Sequence, residues 1–65
     1  MTVWETADGT PVSCRDKLRT LDDNLTEARQ VLQDAFDDAV LMGVGADAMR
    51  QVLAQVVVGL SSPLR

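Results

Sequence analysis

An apolar heptad runs without interruption from Cys14 to Met42. Its members are Cys14, Leu18, Leu21, Leu25, Ala28, Leu32, Ala35, Ala39 and Met42, spaced alternately four and three. That is the period of one helix lying along another. Nothing else in the chain is long enough to run beside all of it. The pattern therefore predicts one long helix and a partner for part of its length.

Size sharpens the need for that partner. A chain of 65 residues makes one small domain. Such a domain buries only about 60% of its unfolded surface, and its own core rarely supplies more than ~3–5 kcal/mol. The usual supplements are disulfides, a metal or oligomerisation. One cysteine permits no internal disulfide, and the absence of histidine argues against a zinc site. Oligomerisation is left.

The chain divides into an extended arm over 1–12, a helical hairpin over 13–60 and a tail over 61–65. In the arm, Val3 and Trp4 suit a strand, Ala7-Asp8-Gly9-Thr10 is a turn signal and Pro11 forbids a helix. A small β-hairpin would pair Val3–Glu5 with Thr10–Val12. Trp4, the one large aromatic of this region, is expected to lie over the first helix. Ser13 reads as the N-cap of that helix, with Asp16 completing an approximate capping box. The helix is predicted over 14–42, on the order of 43 Å long. It should stop at Gly43 in a left-handed turn, with Val44 as the apolar residue that follows. Asp47, or else Gly45, opens a second helix over 47–60. Its stripe of Met49, Val52, Leu53, Val56, Val57 and Leu60 is broad and amphipathic.

The second helix is half the length of the first, so folding back it reaches only to about Ala28. Over that stretch Val31, Phe36 and Val40 widen the heptad stripe, as a helix with two neighbours requires. From Leu18 to Leu25 the stripe is narrow and flanked by Lys17, Asp22 and Asn24. The long helix also starts basic, with Arg15, Lys17 and Arg19, and ends acidic, with Asp34, Asp37 and Asp38. This opposes the helix macrodipole. Two copies laid antiparallel bring each basic end to the other's acidic end. With Leu25 on Ala28 and Leu21 on Leu32 of the second copy, Lys17 faces Asp38 and Asp22 faces Arg29. Exposed pairs are worth under ~1 kcal/mol each, so they select orientation more than they stabilise. The expected fold is all-α, a two-helix hairpin dimerising into an antiparallel four-helix bundle. Its interface is expected at Leu18, Leu21, Leu25, Ala28, Leu32 and Ala35.

Composition excludes several function classes. A net charge of −4 opposes nucleic acid and anionic membrane surfaces. No apolar run approaches a membrane span. Glu5 and Asp8 stand where a secretory leader would be basic and then apolar, so no signal peptide is expected, and one unpaired thiol fits a reducing, cytoplasmic setting. Catalysis lacks its usual parts: there is no His or Tyr, and Gly43-Val44-Gly45 is a capping turn rather than a phosphate loop. The carboxylates Asp23, Glu27, Asp34 and Asp38 recur at helical spacing, but without histidine they read as a solvated acidic face. No catalytic, cofactor or metal residue is expected.

Cys14 is the sharpest chemical candidate. At the start of a helix beside Arg15 and Lys17, its thiol pKa should be depressed; the plainer role is a small apolar residue of the seam. The expected function is a small protein–protein interaction module, a regulator, adaptor or accessory subunit, acting as a homodimer. The alternatives are a thiol-based redox sensor centred on Cys14 and a helical subunit of a hetero-complex with another protein.

Overall fold

The computed structural model describes residues 2–64; the ends of the expected arm and tail, Met1 and Arg65, lie outside them. These residues form an all-helical structure: α1 spans Arg15–Leu41 and α2 spans Ala46–Val58, with no strand among the described residues. The chain divides into two compact units, one up to Gln30 and one from Val31 onward, and α1 belongs to both.

In the first unit, Asp8 and Gly9 reverse the arm. Gly9 has φ 87°, a backbone state that favours glycine. Its N–H donates to the Thr6 carbonyl at 3.0 Å. The Asp8 carboxylate accepts from the Thr6 hydroxyl, and from the Thr10 hydroxyl at 2.9 Å and the Thr10 N–H at 3.2 Å. These bonds hold the Asp8 carboxyl below its ordinary pKa, the Thr6 hydroxyl contributing most. Beyond the turn, the expected strand pairing is reduced to one antiparallel bridge between Glu5 and Pro11. The flanking bonds run from Thr6 N–H to the Thr10 carbonyl and from Val12 N–H to the Trp4 carbonyl, both 2.8 Å. Pro11 thus occupies the one register position where its missing N–H leaves no bond unmade.

The helix starts one residue later than expected. Ser13 is not the cap: the Cys14 carbonyl accepts the first helical bond, from Leu18 N–H at 2.9 Å. The N–H groups of Lys17 and Asp16, in the first turn of α1, favour the Cys14 thiolate, as the open N–H groups of a helix start do for any nearby anion.

In the second unit, α1 ends as the sequence predicts. Gly43 has φ 103°. Val44 N–H donates to the Ala39 carbonyl at 2.9 Å and Gly43 N–H to the Val40 carbonyl at 3.0 Å. That pair of bonds is a Schellman motif, and it satisfies two otherwise orphaned carbonyls. A Cβ built on Gly43 meets nothing within 4 Å, so its substitution is resisted by backbone strain alone. Gly43→Val should cost about 1–2 kcal/mol. Gly45→Ala should be near neutral, because its φ of −62° suits any residue and its new Cβ meets only the Ala48 methyl at 3.9 Å. Urea unfolding of the two variants checks the contrast.

Gly45, not Asp47, caps α2, and it does so without a side-chain bond. Asp47 sits inside the first turn and pairs with Arg50 at 2.8 Å. The helix closes at Val58, two residues before the expected end, with Gly59 as its C-cap. The half-buried side chains of this unit are Leu32, Phe36 and Ala39 on α1 and Ala46, Met49 and Leu53 on α2. They recur every three or four residues, which is the contact stripe of a helix pair. The Arg50 guanidinium lies 5.1 Å from the centre of the Phe36 ring.

Candidate functional site

No described residue is fully buried, so the candidate site is a surface. Its first part belongs to the arm and the N-terminal half of α1. Trp4, Val12, Leu18, Leu21 and Leu25 are the half-buried side chains here. The Trp4 indole N–H donates to the Asp22 carboxylate at 2.7 Å, which anchors the arm over α1. Beside it lies an open apolar groove of about 380 Å³, lined by Val12, Asp16, Lys17, Thr20 and Leu21. The arm therefore covers part of the leucine stripe and leaves a trough along its flank.

The second part belongs to the hairpin. Helical turn geometry divides its surface into two edges. Measured from the middle of the half-buried trio on α1, Ala35 and Val31 stand about 70° and 110° to one side and Phe36 about 30° to the other. On α2, Val56 and Val52 stand about 50° and 90° to one side and Arg50 about 70° to the other. Because Arg50 lies over Phe36, these two share an edge. Val31, Ala35, Val52 and Val56 then share the opposite edge. Val31 is 67% exposed, Val52 50% and Val56 55%. The Arg50 edge carries the Asp47–Arg50 pair and the Gln33 amide donating to Asp37 at 2.9 Å, together with the exposed Val40 and Val57. The opposite edge is a strip of uncovered aliphatic side chains.

The expected interface residues are thus distributed rather than equivalent. Leu18, Leu21 and Leu25 lie in the arm unit and Leu32 in the helix–helix contact, all half-buried, whereas Ala28 and Ala35 are exposed. Heptad spacing does not disclose the groove residues Val12, Lys17 and Thr20, since they lie beside the stripe. Nor does it disclose Asp22 as the indole's partner. The Asp47-x-x-Arg50 and Gln33-x-x-x-Asp37 spacings are the available signals for the Arg50 edge.

Cys14 is exposed. The N–H groups of Lys17 and then Asp16 hold its thiol pKa below the ordinary value; the Lys17 charge adds to this, and slight desolvation opposes it. A depressed folded-state pKa means that the thiolate favours the folded chain. The resulting stability is fully present above the unfolded-state pKa and is lost as pH falls through the folded one. Thiolate absorbance should therefore titrate at lower pH in the native chain than in urea. Equal midpoints would show that the helix start does not favour the thiolate. Among the described residues no three His, Cys, Asp or Glu side chains converge to hold a metal, and no helix is long and apolar enough to cross a membrane.

Fold and surface together define a class: a small helical hairpin with an anchored arm and an open aliphatic face. No family model, curated protein or solved structure matches the chain.

Proposed function

We propose that this protein is a small non-enzymatic protein–protein interaction module, a regulator, adaptor or accessory subunit, that acts as a homodimeric four-helix bundle. The observation that supports this reading is burial. Among the described residues no side chain is fully buried, and Leu18, Leu21, Leu25 and Leu32 are only half-buried. A chain of this size then lacks the core that would hold it folded alone, and pairing would supply one. The heptad and the opposed charge ends of α1 favour an antiparallel pair.

Equilibrium sedimentation with circular dichroism, across a concentration series, tests the proposal. A helical dimer in both reduced and oxidised samples is expected. A folded monomer at low micromolar concentration would overturn it. A helix-poor monomer that gains structure only with other proteins would assign the face to a hetero-complex.

A second reading rests on the exposed Cys14 at the start of α1, whose lowered pKa favours the nucleophilic thiolate. Its discriminating variant is Cys14→Ser. Loss of a redox response with dimerisation intact would favour a thiol sensor.

A further inference from the structure

The arm lies across the leucine stripe of its own helix. Viewed down α1 from Leu21, Leu18 and Leu25 stand about 60° and 40° to one side, and Asp22 stands about 100° to that same side. Lys17 and Thr20 stand about 40° and 100° to the other. The Trp4 indole meets α1 at Asp22, 2.7 Å away. Val12 shares its groove with Leu21, Lys17 and Thr20. The Val12 N–H donates to the Trp4 carbonyl at 2.8 Å, so these two residues are neighbours across the arm. The arm therefore straddles α1 from one flank to the other, over the line of Leu18, Leu21 and Leu25, and all three are half-buried.

Two helices that pack along a seam have axes only roughly 8–10 Å apart. An extended arm does not fit into that gap. The arm and the α1 of a second copy thus exclude each other from this part of the stripe. We propose that the arm is an autoinhibitory strap: it covers Leu18, Leu21 and Leu25 in the single chain and swings away when a second copy takes its place. This rests on the homodimer reading above and adds its regulation. The arm is made to move as one piece. The bonds at Thr6, Asp8, Thr10 and Val12 close within it, so the turn persists when the arm leaves α1. It is latched to α1 through the indole bond to the exposed Asp22 carboxylate, at the surface. Ser13, exposed and outside the helix, joins it to Cys14 and supplies the hinge.

Trp4→Phe keeps an aromatic ring in the arm, removes the indole donor and leaves α1 unaltered. An apparent dissociation constant rises as fewer chains are open, and both arms of a dimer have to open. Losing a hydrogen bond to a charged group shifts arm closure by about tenfold. By equilibrium sedimentation, Trp4→Phe is therefore expected to dimerise with a dissociation constant about tenfold or more below that of the unaltered chain, with its helix content by circular dichroism retained. The unaltered chain gives an independent reading, which decides alone if the variant loses its helix. Its single tryptophan, Trp4, should emit further to the red as concentration rises through dimerisation, because the indole leaves its cover. Equal or weaker dimerisation of a folded Trp4→Phe, or an emission that stays constant as the unaltered chain dimerises, would overturn the strap and leave the homodimer standing. A monomer at every concentration in both chains would overturn both.

Discussion

Leu25→Asp is expected to dissociate the chain and unfold most of its helix. Leu25 is half-buried beside the arm and lies near the middle of the proposed antiparallel seam. The cation nearest a carboxylate there is the exposed Arg29, one helical turn along, which would have to leave solvent to meet it. A poorly compensated charge in an interface core costs about 3 kcal/mol, which is as much as a domain of this size has to spare. The two-fold symmetry would bring the charge in twice. Thr26→Asp, one residue along on the exposed outer face, should change stability by no more than about 0.5 kcal/mol. Circular dichroism and sedimentation of the two variants side by side make the comparison. If both behave alike, Leu25 is not at the seam.

The second large effect is expected from Phe36→Ala. Phe36 is the one aromatic ring between α1 and α2, half-buried and covered on one edge by Arg50 at 5.1 Å. Full burial would make the truncation cost about 3–5 kcal/mol; half-burial reduces this to roughly 2 kcal/mol, and the lost cation–π contact adds about 0.5–1 kcal/mol. The Asp47–Arg50 pair does not offset it, because Arg50 is 64% exposed and such pairs are worth little. With its main anchor gone, α2 should detach and melt. Val58→Ala is the control, since that side chain is 84% exposed and touches little. Urea unfolding should show a large shift for Phe36→Ala and almost none for Val58→Ala. Comparable shifts would mean that the hairpin is held at its outer end rather than at Phe36.

Both predictions draw on residues whose role is legible in the amino-acid pattern alone. Leu25 and Phe36 belong to an apolar period that only a helix satisfies, and Gly43 marks where that period must break. The Schellman bonds at Gly43 follow from the one residue type that takes a φ of 103° without strain. Trp4 is expected over α1 because a lone large aromatic needs a surface to cover. Its anchor on Asp22 is not legible in the same way, since that contact joins residues eighteen apart and depends on the turn at Asp8 and Gly9.

The caps and the faces divide along the same line. Residue pattern places each helix start to within a residue or two but favours Ser13 over Cys14 and Asp47 over Gly45. Cap identity depends on phase, and composition does not report phase to one residue. Periodicity likewise gives α2 a broad apolar stripe and α1 a widened one. It cannot tell which flank each helix turns toward its neighbour. The Arg50–Phe36 contact resolves this, leaving Val31, Ala35, Val52 and Val56 together on the open edge. The order and kind of the elements are local properties, set by helical period, proline and glycine, and the sequence by itself determined them. Which side chains stay uncovered depends on how the arm lies on the start of α1 and, separately, how α2 lies on its end, because burial is set by contacts between residues far apart in sequence, and only the tertiary structure decided that.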